Sequence, residues 1–247
     1  MGRSPPAPPV TAASAARRAH YLAALGIDAY RSRHAPVAEL PPAAEPPAGD
    51  AVAAFEPVSG ADWGTLRERV AGCTRCRLCE GRTQTVFGVG DPRARWLVVG
   101  EAPGAEEDRR GEPFVGRAGQ LLDSMLRAVG LARETVFIAN VLKCRPPDNR
   151  DPRPDEIAAC LPYLERQVAL IEPRIILAVG RIAAQALLGS DAPVGRLRGR
   201  VHRHGAVQTP LVVTYHPAYL LRSPGEKRKA WDDLRLARSQ LDGCGAH

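Results

Sequence analysis

Three cysteines crowd into one short stretch, Cys73-Thr-Arg-Cys76-Arg-Leu-Cys79, and Cys144, Cys160 and Cys244 follow at longer intervals. In a reducing compartment, thiols grouped at C-x-x-C spacing point to metal ligation or catalysis rather than to disulfides. Two metal chemistries are open. A ferredoxin-type iron–sulfur run would need a fourth cysteine soon after Cys79, and none comes before Cys144; four-cysteine zinc is the other reading.

A second constellation carries acid–base and recognition chemistry. Gly100-Glu-Ala-Pro-Gly104 runs on into Glu106-Glu107-Asp108. Glycine and proline let backbone amides approach a ligand closely. Glu101, Glu106, Glu107 and Asp108 make the loop a poor phosphate cradle but a candidate acid–base site; a solvated acidic turn is the plainer alternative. In Gly111-Glu-Pro-Phe-Val-Gly116, Phe114 either stacks on a planar ligand or packs in a core. Asn140 can offer one donor and one acceptor to a base edge, or cap a turn. His216-Pro217 leads into Ala-Tyr-Leu-Leu-Arg222, an apolar tip beside a cation. Such a tip suits insertion into a nucleic-acid groove, and it equally suits ordinary packing.

These residues need a scaffold, and the hydrophobic pattern describes one. Arg95–Gly100, Thr135–Ala139, Arg174–Gly180 and Leu211–Tyr215 are short apolar runs, the pattern of strands buried on both faces. Apolar residues at 115, 118, 121, 122, 125, 126 and 129 repeat with a helical period. Pro154 opens a second helix with Leu161, Leu164, Val168 and Ile171 on one face, and Ile182–Leu188 and Lys227–Leu241 read as two more. Strand–helix alternation predicts an α/β fold, a three-layer α/β/α sandwich around a mostly parallel four-stranded sheet. Ligands in such sheets bind beyond the carboxyl ends of the strands. Glu101, Asn140, Gly180-Arg181 and His216-Pro217 stand at those ends.

Composition bounds the partners. The 247 residues carry 34 Lys+Arg against 27 Asp+Glu, a formal charge of +7, which suggests nucleic acid or another anion. No apolar run approaches the roughly 18 residues of a membrane span, and Met1–Pro9 lacks the apolar stretch of a secretory signal, so the expected location is inside the cell. Ten of the 23 prolines fall at or before Pro57, in stretches such as Pro41-Pro-Ala-Ala-Glu-Pro-Pro47. Residues 1–60 therefore read as a Pro/Ala-rich, partly disordered extension with a short helix over Ala15–Tyr30. Residues 61–247 read as the compact domain, starting near Asp62.

In order along the chain, Cys73-x-x-Cys76, Gly100-Glu-Ala-Pro-Gly104 with Glu107-Asp108, Gly111-x-Pro-Phe-Val-Gly116, Asn140 with Lys143-Cys-Arg-Pro-Pro147, Cys160 and His216-Pro-Ala-Tyr-Leu-Leu-Arg222 resemble the uracil-DNA glycosylase superfamily, in its thermophile-type, iron–sulfur "family 4" branch. The likeness runs from about Cys73 to Leu241. It implies a DNA-repair enzyme, acting on single- or double-stranded uracil-containing DNA, that flips deoxyuridine into a pocket and hydrolyses its N-glycosidic bond, leaving an abasic site. It further implies a monomer in the cytoplasm, associated with the nucleoid.

The same resemblance assigns Cys73, Cys76, Cys144 and Cys160 as ligands of a structural 4Fe-4S cluster and leaves Cys79 and Cys244 as spare thiols. Gly100, Glu101, Ala102, Phe114, Asn140 and His216 would bind substrate. Phe114 would stack on uracil, Asn140 would read its N3–O4 edge, and His216 would stabilise the anion developing on O2. Ala102 stands where the best-known relatives outside this branch carry Asp, so Glu101 and Glu107 become equal candidates for orienting water. Arg145, Leu220, Leu221 and Arg222 would contact DNA, with Arg150 and Arg153 either turned toward phosphates or merely solvated. Relatives that capture uracil-DNA covalently without turnover carry an extra basic loop with a histidine, and Lys143–Pro154 has none. A non-enzymatic zinc-stapled DNA-binding module is a further alternative. An electron-transfer protein is disfavoured by ligands scattered over an enzyme-like scaffold.

Overall fold

The structure, a computed structural model, describes residues 58–242. These lie within one of the chain's two compact units, Phe55–His247. Nearly all of the expected extension, its helix over 15–30 and Cys244 fall outside the described residues.

Six strands form one sheet: β1 (Val89–Gly90), β2 (Trp96–Gly100), β3 (Phe137–Asn140), β4 (Ile175–Val179), β5 (Val201–His204) and β6 (Thr209–Thr214), in the order β1-β3-β2-β4-β6-β5. The central β3-β2-β4-β6 set is parallel. Its side chains alternate between two buried clusters. Leu97, Val99, Phe137, Ala139, Ile176, Ala178, Leu211 and Val213 face one, while Trp96, Val98, Ile138, Ile175, Leu177, Val179 and Val212 face the other. Two-sided burial explains why these strands are apolar without interruption.

The expected four strands are thus joined by two antiparallel edges, β1 on β3 and β5 on β6. Neither edge gives a hydrophobic signal. β1 is two residues long and β5 reads Val-His-Arg-His, with no fully buried residue in either. Edge strands of this kind are held by pairing with the neighbouring backbone rather than by apolar side chains.

The helices that matter here are α1 (Trp63–Ala71), α2 (Leu78–Gly81), α3 (Ala105–Arg110), α4 (Arg117–Ala128), α5 (Pro154–Ile171), α6 (Arg181–Leu188), α7 (Val194–Leu197), α8 (Pro217–Arg222) and α9 (Lys227–Asp242). Asp62 caps α1 by accepting the Thr65 N–H at 2.8 Å, which sets the start of that helix. Leu122, Met125 and Leu126 of α4 and Ala230, Leu234 and Ala237 of α9 fill one side of the sheet. Cys160, Leu164 and Val168 of α5 with Ala183, Ala184 and Leu187 of α6 fill the other. No helix among the described residues is long and apolar enough to cross a membrane.

Candidate active site

Gly100 ends β2 opposite Asn140, which ends β3. A Cβ at Gly100 would lie 2.4 Å from Asn140 Oδ1 and 2.5 Å from Phe114 Cζ, so only glycine lets the amide and the ring close on this strand end. Asn140 is 2% exposed and its Oδ1 has no hydrogen-bond partner among the described residues. A buried carbonyl oxygen without a partner is costly, and a ligand donor is the natural means of satisfying it.

Phe114 reaches the same point from a strained backbone. Its φ is +55°, a left-handed setting that costs a bulky residue about 1–3 kcal/mol and tends to persist where function needs it. The ring lies 5.6 Å, centroid to centroid, from the His216 imidazole, inclined at 29°. His216 caps α8: its Nδ1 accepts the Ala218 N–H at 3.1 Å. An accepting Nδ1 leaves the proton of the neutral ring on Nε2, which is then available to donate. Burial, assisted by the Arg222 charge, lowers the His216 pKa to about 4, so the ring is neutral at pH 7.

All of this opens into a cleft of about 860 Å³ that Glu101, Ala102, Glu107, Phe114, Asn140, His216 and Arg222 help to line. Glu101 accepts no hydrogen bond from the described residues through its carboxylate, whereas its main-chain oxygen accepts the Leu142 N–H at 3.0 Å. Burial, reinforced by Asp151, raises its pKa to about 6 against the opposing pull of Arg181. Asp151 and Arg181, both on the cleft wall, form an ion pair.

Glu107 is differently placed. Its Oε1 accepts the N–H groups of Val115 and Gly116 at 3.0 and 3.3 Å, and its Oε2 accepts that of Gly104 at 3.1 Å. Both oxygens are occupied by backbone amides, joining the 100–104 loop to the 113–116 loop. Asp108 likewise anchors the Thr83 N–H, and Glu106 pairs with Arg109 at the surface.

The expected DNA contacts divide. Arg222 lines the cleft and Leu221 is 37% exposed, but Leu220 is 1% exposed and packed in the core. Its assignment to the DNA tip is corrected: on the short helix α8, consecutive residues point about 100° apart, so Leu220 turns inward and Leu221 outward. Arg145 is half-buried and donates to Asn149 Oδ1 at 2.8 Å. Arg150 is committed to Glu156, with Nη1 to Oε2 at 2.9 Å, while Arg153 is exposed.

Cys73, Cys76, Cys144 and Cys160 line one small cavity with Leu78, Leu142 and Tyr163, and Cys79 is not among the residues lining it. No group of three or more His, Cys, Asp or Glu among the described residues is arranged to hold a single metal ion. The cavity fits a thiolate-ligated group on two counts. Its donors are all sulfur. Two N–H groups already point at them, Arg82 Nη1 to Cys144 Sγ at 3.1 Å and Lys143 N to Cys160 Sγ at 3.2 Å. Burial raises the Cys76, Cys144 and Cys160 thiols, Cys160 to about 12. Lys143 links this cavity to the cleft: its Nζ donates to the Asn140 carbonyl at 2.9 Å and to Gln167 Oε1 at 2.6 Å.

Residues 87–235 match the family model described as the uracil DNA glycosylase superfamily. The chain belongs to that superfamily. Among its relatives, the type-4 uracil-DNA glycosylase of Pyrobaculum aerophilum is 45% identical, over 69% of this chain and 90% of its own. That of Thermotoga maritima is 43% identical over 70% and 92%, and that of Archaeoglobus fulgidus 42% over 67% and 86%. Membership of the superfamily bears out the α/β expectation for the fold, with six strands in place of four. Sequence reasoning had passed over Asp151 beside Glu101, and also Arg133, which grips the Phe114 loop from 19 positions away. Arg181 was visible as the residue after a strand; Arg133 had no local signal.

Proposed function

We propose that this chain is a DNA-repair uracil-DNA glycosylase that hydrolyses the N-glycosidic bond of deoxyuridine and leaves an abasic site. The observation that carries the reading is the buried, unpartnered Asn140 Oδ1 at a strand end, set between Phe114 and the cleft. Uracil N3–H is a donor that would satisfy this oxygen, and the amide N–H would meet O4. Cytosine offers the opposite pattern and leaves buried groups unpaired. The base must leave the stack to reach this depth, at a cost of a few kcal/mol.

As the glycosidic bond breaks, the sugar becomes cationic and the uracil O2 anionic. Neutral His216, its proton on Nε2, would donate to O2 and so stabilise the leaving anion. Glu101 would orient the attacking water and stabilise the cationic sugar, since its carboxylate is ionised above about pH 6 and holds no backbone amide. Glu107 becomes a positioning group, both its oxygens being engaged. Cys73, Cys76, Cys144 and Cys160 would hold a 4Fe-4S cluster that supplies no step of the reaction. Its contribution would be to fasten the Cys73–Cys76 segment to the Cys144 loop and α5, next to the exit of β3. Leu221 and Arg222 would meet the duplex beside the flipped nucleotide.

Incubation with a uracil-containing oligonucleotide, followed by alkali and a sizing gel, tests the reading: strand scission at the uracil is expected. An intact strand from folded protein containing iron and acid-labile sulfide in equal amounts would overturn it. Zinc in place of iron would overturn the cluster assignment alone. His216→Ala should slow release by about 10²–10³-fold, the usual loss for one donor to a developing oxyanion, with iron and sulfide content unchanged. Near-normal turnover would remove His216 from the mechanism.

A further inference from the structure

We propose that Arg133 is a positioning residue for Phe114, one jaw of a two-sided clamp whose other jaw is Glu107. The inference rests on the reading of Phe114 as the platform for flipped uracil. Arg133 Nη1 donates to the Phe114 carbonyl at 3.3 Å and Nη2 to the Pro113 carbonyl, while Asp123 Oδ1 of α4 holds the guanidinium at 3.2 Å. Glu107 takes the next two backbone groups, the N–H of Val115 and of Gly116. A cation therefore grips the loop's carbonyls and an anion grips its amides, immediately either side of the residue at φ +55°.

The chemistry explains the choice of residue. The loop lies outside every strand and helix, so its polar groups have no ladder to join and need side-chain partners. The left-handed turn at Phe114 lets two successive carbonyls be reached from one direction. A guanidinium presents its N–H groups in one fixed plane and so holds both carbonyls in a single geometry, whereas a lysine ammonium would reach them through freely rotating donors on a flexible stem. Helix α4 also presses close: a Cβ at Gly119 would lie 1.7 Å from the Phe114 oxygen, so the carbonyl has little freedom to turn elsewhere. Without Arg133 the two carbonyls would lose their charged donor, and the strained backbone could relax and carry the ring off the strand end.

Single-turnover uracil release and inhibition by free uracil would be measured for the full chain and for Arg133→Met, Arg133→Lys, Asp123→Asn, Phe114→Ala and the Phe114→Ala/Arg133→Met double variant. Arg133→Met is expected to slow release and weaken free-uracil inhibition together, by about 10-fold or more, as for loss of a charge-assisted hydrogen bond. Binding to an abasic-site duplex should stay within about twofold of the parent, because Arg133 acts on the base pocket alone. Arg133→Lys should recover part of the loss, and Asp123→Asn, which keeps the guanidinium, should cost less. In the Phe114→Ala background, Arg133→Met should add little.

Equal losses in both backgrounds, or unchanged free-uracil inhibition, would overturn the clamp while leaving the enzyme reading intact. A parent chain that releases no uracil would sink the enzyme reading instead. The clamp would then be decided by the fluorine resonance of labelled Phe114, assigned through Phe114→Ala, which Arg133→Met must shift. An unmoved resonance overturns it.

Discussion

Asn140→Ala should release uracil on the order of 10³-fold more slowly than the parent. The amide is 2% exposed and its Oδ1 unpartnered, so it is a recognition group awaiting a ligand rather than part of a structural network. Alanine would remove the amide that pairs with both uracil N3–H and O4 and leave them without a fixed partner. Because Lys143 contacts only the Asn140 main-chain oxygen, the link to the cysteine cavity survives the substitution. Single-turnover kinetics with enzyme in excess separates this loss from weaker DNA binding. A variant within a few-fold of the parent would remove Asn140 from uracil recognition.

Glu101→Gln should lose about 10²–10⁴-fold in turnover, the usual range for a positioned acid–base group, and should at the same time stabilise the fold. The Glu101 carboxyl is raised from its ordinary value of 4.5 to about 6, mainly by burial. A raised carboxyl favours the folded state below pH 4.5, where it is protonated folded or unfolded, and that advantage is lost as pH rises through 6. At pH 7.5 the folded protein therefore carries a carboxylate it disfavours, by at most about 2 kcal/mol, and less given the group's partial solvation. Glutamine removes this penalty, so the melting temperature should rise at pH 7.5 and change little at pH 4. The parent's release rate should fall tenfold per pH unit below about 6, whereas the variant's should be slow and flat. An unchanged pH profile in Glu101→Gln would transfer the role to another group.

Sequence and structure divide the account along physical lines. Continuous apolar runs report burial on both faces of a sheet, which is why β2, β3, β4 and β6 were legible to within two residues. β1 and β5 were not, because an edge strand is made by hydrogen bonds to a neighbour and carries no obligatory side-chain pattern. Among the site residues, glycine at 100 and the types at 101, 114, 140 and 216 were legible because they follow strands or sit in glycine-rich loops. Which of them has free polar atoms was not. Glu101 and Glu107 looked equivalent as letters. They differ in that three backbone amides occupy Glu107 and none occupies the Glu101 carboxylate. Leu220 and Leu221 are likewise the same residue twice, and only a rotation of about 100° between neighbours on a helix sends one into the core and the other to the surface.

The amino-acid sequence by itself determined the parallel α/β scaffold, the strand ends that meet in the cleft, and the close grouping of Cys73, Cys76 and Cys79. Those properties are local, set by periodicity and by glycine. Tertiary structure alone decided that Cys73, Cys76, Cys144 and Cys160 share a cavity, that Arg133 and Glu107 hold Phe114 from opposite sides, and that Asn140 keeps an unpaired oxygen. Hydrogen bonding and desolvation depend on which distant groups arrive at the same place, and that is a property of the folded chain rather than of any stretch of it.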